Sequence, residues 1–243
     1  MAFDALITIA AIIAGGIASI AGFGIGSILT PLLAVSVGTK LAVAAVSVPH
    51  LVATALRFFL IREHVDKRVF LSFGLTSAVG GLLGALLHTR FSSPALSYIL
   101  GALLVFAGFM GITGWAQRLR FEGAAAWIAG ALSGVFGGLV GNQGGIRSAA
   151  MLGMRVSKES FVATATAIAL LVDAARMPVY AVMQTKQVLE IWPLLLLATI
   201  GVIVGTIAGE RVLRRIPQSI FRRLVSIIIL GLGISMLLHP GKG

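Results

Sequence analysis

Charged residues are scarce in this sequence, and acidic residues are scarcer than basic ones. Only 11% of the 243 residues are charged, with 8 Asp and Glu against 19 Lys and Arg, whereas about 25% is usual in a soluble domain. The hydrophobic share of 58% and the mean hydropathy of +1.04 exclude a water-soluble domain and are typical of a polytopic helical membrane protein. Cysteine is absent, which excludes disulfides and thiolate metal sites.

Motifs for enzyme chemistry are also missing. The sequence has no phosphate-binding Gly-x4-Gly-Lys loop, no strand followed by Gly-x-Gly-x-x-Gly, and no His-Glu-x-x-His pair. We therefore expect no enzyme activity, no cofactor and no metal. The basic residues fall mostly between apolar runs, where they set topology, so no nucleic-acid partner is expected. The N-terminus lacks a basic segment before its first apolar run, which argues against a removable signal peptide.

Apolar runs fill the chain from end to end. They lie at about 4–37, 41–61, 69–88, 93–116, 123–154, 159–183, 187–209 and 218–239, and one span needs about 20 residues. The blocks 4–37 and 123–154 are too long for one span, and both are interrupted by glycines. We predict that each is a helical hairpin broken inside the membrane.

The two long blocks open two similar halves. Gly16-Ile17-Ala18-Ser19 matches Gly130-Ala131-Leu132-Ser133, and further along the halves Arg57 falls opposite Arg176. The pattern predicts an internal duplication, with chance similarity between glycine-rich segments as the alternative. Repeat 1 is residues 1–117, with the hairpin 4–37 and the next three blocks as transmembrane helices. Repeat 2 is residues 123–239, with the hairpin 123–154 and the last three blocks.

Basic residues favour re-entrant hairpins over full crossings. If both hairpins return to the side they entered from, only Lys40, Arg90, Lys186 and Lys242 fall on the outer side, as the positive-inside rule requires. If both blocks cross fully, no bias results. The first topology makes the repeats inverted and places both termini outside. We expect location in the cell membrane, which in a bacterium is the inner membrane.

The glycine-rich openings of the two halves resemble those of a known family. Four segments of the sequence are similar to the TauE/SafE sulfite-exporter-like permeases. They are Gly22-Phe23-Gly24-Ile25-Gly26, the exit Pro31-Leu32-Leu33, the opening Gly130-Ala131-Leu132-Ser133-Gly134, and the loop Arg62-Glu63-His64-Val65-Asp66-Lys67-Arg68. The resemblance spans nearly the whole chain and implies transport of sulfite, sulfonates and related organosulfur anions. Two departures are Ser27, where another glycine is expected, and the second tip, Gly141-Asn142-Gln143-Gly144-Gly145-Ile146-Arg147.

Ionisable residues inside the apolar blocks are the strongest candidates for pathway or coupling roles. Arg57 either lines the pathway or reaches the membrane interface with its long side chain. Asp173 and Arg176 are spaced i, i+3, so they form either a structural ion pair or part of the pathway. His50, after Pro49, either has a structural hydrogen-bonding role or contributes to proton coupling or substrate contact. If Arg57 and Arg176 line two ends of one pathway, Leu at either position should lower transport without unfolding the protein.

The two hairpin tips, Gly22 to Ser27 and Gly141 to Ser148, are predicted to bind the substrate at the bilayer midplane. A helix that begins inside the membrane presents free N–H groups and the positive end of its dipole, both of which favour an anion. Arg147 adds a charge there or else reaches the cytoplasmic surface, and the alternative for both glycine runs is tight packing alone. The predicted binding residues are Gly24, Gly26, Ser27, Gly141, Asn142, Gln143, Gly144 and Arg147.

These observations predict a secondary transporter of small anions, most simply sulfite or organosulfur compounds, that works by alternating access. An anion channel or facilitator, and a transporter of another small organic anion, are the alternatives. A coupled proton is expected from His50 and Asp173, although sodium sites made of backbone carbonyls leave no trace in a sequence. The direction of transport and the oligomeric state are left open.

Overall fold

Helices make up every regular element in the part of the chain that the structure describes. The computed structural model describes residues 2–115, 123–144, 146–147, 151, 157–213 and 218–240. A 3-10 turn, Arg62–His64, precedes the short helix Lys67–Val69, and a π-helical turn, Phe70–Gly74, joins that helix to Leu75–His88. The helices are α1 (Ala2–Ala21), α2 (Ile25–Ile61), α3 (Lys67–Val69), α4 (Leu75–His88), α5 (Ser93–Thr113), α6 (Ala124–Val140), α7 (Lys158–Glu190), α8 (Trp192–Leu213) and α9 (Gln218–Leu238).

Five helical stretches in the described residues are long and apolar enough to cross a membrane. Large apolar side chains such as Ile9, Phe59, Val79 and Ile207 point away from the protein interior, which suits contact with lipid. The predicted polytopic helical membrane fold is therefore confirmed. The five stretches are Ala2–Ala21, Ile25–His64, Lys67–His88, Ser93–Thr113 and Glu159–Glu190.

Small residues bring pairs of helices close together. The helix α1 packs along α8, α6 packs along α4, and α5 packs along α9. A Cβ at Gly84 of α4 would overlap the carbonyl oxygen of Val135 on α6, and a Cβ at Gly205 of α8 would overlap that of Ile12 on α1. The glycines spaced four apart in these helices thus allow close backbone approach, as in other membrane helix pairs.

The long helices α2 and α7 pack against each other and carry four of the buried ionisable residues. Arg57 and His50 lie on α2, and Asp173 and Arg176 lie on α7. The predicted boundary between the blocks 4–37 and 41–61 is a kink rather than a loop, because Gly38 leaves helical geometry at φ 77°, ψ 155° while the helix continues on both sides.

Candidate functional site

Glycine breaks the helix in both predicted tips. The first break follows α1, where Gly22 and Gly24 have φ of 74° and 136°, and α2 begins at Ile25. The second break follows α6 at Gly141, with φ 72°, and helical geometry resumes at Gly144. Side chains rarely tolerate these positive φ values, so glycine is required at the turns. The predicted interruption of both blocks is confirmed, while Gly145 and Ser148 lie outside the described residues.

The two breaks touch each other, although they are more than 100 residues apart in sequence. A Cβ at Gly26 would overlap the carbonyl oxygen of Gly141, so the backbones are in direct contact. The Ser27 hydroxyl donates a hydrogen bond to Asn142 Oδ1 at 3.3 Å. Gly144 packs equally closely on the side chain of Phe23. These residues form one buried site, which we call the break junction.

The side chain of Arg147, in the second half of the chain, lies in the break junction, where only part of its guanidinium group is hydrogen-bonded. Its side chain is 1% exposed, so it does not reach the surface. Its Nη2 donates to the carbonyl oxygen of Gly22 at 2.9 Å, which caps the end of α1. Its Nε and Nη1 have no hydrogen-bond partner.

Other polar atoms beside the junction also have no partner. Both amide atoms of Gln143 and the hydroxyl of Thr30 are buried and unbonded. Thr30 Oγ1 lies 3.6 Å from the position that a Cβ on Gly141 would take, which places it against the second break. Buried polar groups are normally hydrogen-bonded, so this cluster of unused donors and acceptors makes the break junction the candidate site.

Arg57 is buried too, at 4% exposure, so the interpretation in which it reaches the membrane interface is wrong. The side chain turns inward because its Nε donates to the Thr166 hydroxyl on α7 at 2.9 Å, while Nη1 has no partner. Arg57 lies beside the break junction, because Thr166 follows Ala165, whose Cβ is 3.4 Å from the position that a Cβ on Gly22 would take. The carbonyl of Gly22 is the one to which Arg147 donates. Within the described residues, neither arginine has a carboxylate oxygen within 4.0 Å.

Arg176, by contrast, is fully paired. Its Nε and Nη2 lie 2.9 Å and 2.7 Å from Asp173 Oδ1, and its Nη1 donates to the carbonyl oxygen of Gly137 at 2.7 Å. The other oxygen of Asp173 lies 2.6 Å from His50 Nδ1. These contacts favour the structural ion pair over a pathway role for Arg176.

The end of α6 is capped by side chains that the sequence did not single out. Tyr180 donates to the carbonyl oxygen of Gly138, and His88 Nδ1 donates to that of Leu139 at 2.7 Å. With Arg176 on Gly137, three carbonyls at a helix end inside the protein are thus satisfied. Spacing in the sequence could have pointed to Tyr180. Asp173, Arg176, Tyr180 and Gln184 follow one another at three to four residues, which puts them on one face of α7.

Removing the Tyr180 hydroxyl tests this cap. Tyr180→Phe should lower the free energy of unfolding by about 1–3 kcal/mol, because the carbonyl of Gly138 then loses its buried side-chain donor. Tyr98→Phe is the matched control, since Tyr98 is 50% exposed. Equal melting temperatures for the two variants in detergent would contradict the cap.

A profile of the sulfite exporter TauE/SafE family matches residues 7–236. The chain belongs to this family. TauE/SafE proteins are membrane permeases rather than enzymes, so the protein is a membrane transporter that acts on a small anion. No curated protein and no solved structure matches the chain. The family match covers both glycine breaks and all four buried ionisable residues of α2 and α7.

Proposed function

We propose that this protein is a secondary transporter that moves sulfite or organosulfur anions by alternating access, with the anion bound at the break junction. The observation that carries the proposal is the presence of two buried arginines, Arg57 and Arg147, without a carboxylate partner in the described residues. A buried charge without a partner is strongly destabilising. A bound anion removes that cost, which gives the two residues a use.

Neutral donors beside the arginines suit a small oxyanion. The amide of Gln143 and the hydroxyl of Thr30 are unused, and Ser27 and Asn142 bond only weakly to each other at 3.3 Å. Hydrogen bonds from a guanidinium to an anion are roughly twice as strong as neutral ones. Guanidinium, amide and hydroxyl groups together can surround the several oxygens of a sulfur oxyanion, as predicted for the tips.

Helix packing supports the proposal of two inverted repeats, residues 1–117 and 123–239. The first helix of each half packs on a helix of the other half, α1 on α8 and α6 on α4, and the contacts of α2 with α7 and of α5 with α9 join equivalent helices. The contacts of α4 with α7 and of α8 with α2 also correspond. Exchange of halves leaves these pairings unchanged, as expected for repeats related by a two-fold axis. We also propose that both termini lie on the outer side of the cell membrane. The pair of His50 and Asp173 is proposed to carry the coupled proton.

Anion-dependent thermal stabilisation of the purified protein tests the site. Sulfite and sulfate should raise the melting temperature of the wild-type protein, because a ligand of the folded state stabilises it by mass action. Arg147→Gln should abolish the shift. Arg62→Gln should keep it, because Arg62 is exposed at the end of α2.

Two further measurements complete the test. Arg147→Lys keeps the charge, so it should retain part of the anion response even if Arg147→Gln does not fold. Counterflow of labelled sulfite in liposomes should saturate and be stimulated by sulfite on the opposite side, which a channel does not show. Anion shifts of wild-type size in both Arg147 variants would remove the junction from the binding site, and unsaturable flux would overturn alternating access.

A further inference from the structure

We infer, on the basis of the proposed function, that the break junction selects doubly charged oxyanions over singly charged and zwitterionic ones. The family match does not determine how many charges the bound anion carries. The inference is carried by the balance of buried charges around Arg57, Arg147, Asp173 and Arg176.

Asp173 is the one carboxylate among the described residues that is buried. Both of its oxygens are occupied, one by Arg176 and the other by His50. Arg176 is thereby neutralised, and neither Arg57 nor Arg147 lies within 4.0 Å of the Asp173 carboxylate.

The other acidic side chains that the structure describes do not reach the junction. Glu63, Glu159 and Glu190 are exposed. Asp66 is used at the start of α3, where its carboxylate accepts the backbone N–H of Val69 at 3.0 Å. Asp4 lies in the first turn of α1, whereas the junction lies beyond the last turn of that helix. Arg57 and Arg147 therefore bring two positive charges that no carboxylate described in the structure balances by contact.

Arginine cannot relieve this imbalance by losing a proton, since its guanidinium stays protonated in proteins. Two like charges at one site also repel each other, and each side chain keeps an unbonded Nη1. A singly charged anion compensates only one of them and leaves the other buried without a counter-charge. A doubly charged anion compensates both, so sulfite dianion, thiosulfate and sulfate fit the site better than sulfonates or zwitterionic taurine.

Sulfate and methanesulfonate form a suitable pair of probes, because they share a tetrahedral sulfur and differ by one charged oxygen replaced by methyl. The affinity of each is measured by calorimetry on the purified protein at fixed ionic strength. In the wild-type protein sulfate should bind at least about tenfold more tightly than methanesulfonate, because the second charge interacts with a second buried arginine. Taurine should bind more weakly than sulfate.

The variant Arg57→Gln separates charge matching from the intrinsic hydration of the anions. It removes one of the two charges, so sulfate affinity should fall and the preference for sulfate should shrink to near parity. Hydration of the free anions is the same in both experiments and cancels in this comparison. Arg62→Gln, an exposed neighbour of α2, should keep the wild-type ratio. Arg147→Gln makes the same comparison if Arg57→Gln does not fold.

The outcomes separate the two proposals. If neither these two anions nor sulfite binds the wild-type protein, the proposed function fails. If both bind with equal affinity, or if the ratio is the same in wild-type protein and in Arg57→Gln, the doubly charged selectivity is wrong while the anion site stands. A ratio that falls only when Arg57 or Arg147 is replaced supports the inference.

Discussion

Asp173→Asn is expected to lower the free energy of unfolding by about 3–5 kcal/mol, because it removes one partner of a buried ion pair. Asn keeps the shape of the side chain but leaves Arg176 with a charge and no carboxylate, and it changes the contact with His50. The measurement is reversible unfolding of the purified protein in mixed detergent. Glu159→Gln is the control on the same helix, since Glu159 is exposed.

A double-mutant cycle shows whether the ion pair between Asp173 and Arg176 accounts for the loss of stability. Asp173→Asn with Arg176→Gln removes both charges, so it should be more stable than the sum of the single effects predicts. Additive losses in the cycle would mean that Asp173 and Arg176 contribute independently. Arg176→Gln also weakens the cap on Gly137, so some destabilisation should persist in the double variant.

The sequence was sufficient to predict the breaks and their meeting. Glycine runs inside apolar blocks have few explanations, because glycine weakens a helix unless the backbone turns or packs closely there. Gly141 and Gly24 show the positive φ that this interpretation requires, and Ser27 contacts Asn142 as expected for neighbouring tips. The i, i+3 spacing also predicted the pairing of Asp173 with Arg176, which needs only helical geometry.

The contacts that distinguish the three arginines could not be predicted in the same way. Arg57 donates a hydrogen bond to Thr166, and Arg147 donates one to the carbonyl of Gly22. Both partners are more than 100 residues away in sequence. Such partners depend on which helices pack together, and spacing along one helix gives no information about that. Spacing places Tyr180 on the same face of α7 as Asp173 and Arg176, but its partner, like that of His88, depends on where α6 ends.

Gly26→Val should reduce anion binding and counterflow to near background. Its Cβ would overlap the carbonyl oxygen of Gly141, and that segment is held by a hydrogen bond from Gly141 N to the carbonyl of Gly137 at 3.1 Å. The two breaks must therefore move apart, at a cost of about 1–3 kcal/mol in unfolding free energy. Gly231→Val is the matched control, because a Cβ at Gly231 meets nothing within 4 Å.

Comparison of binding with stability decides what the glycine contact is for. If the tips serve only to pack helices, Gly26→Val should lower the melting temperature while the folded protein keeps its sulfite affinity. If the junction binds the anion, affinity should fall even under conditions where the variant is folded.

Ser27→Ala and Asn142→Ala leave the backbone contact in place and remove single polar groups. They should therefore weaken sulfite binding with little effect on melting, and unchanged affinity in both would remove these two side chains from the site.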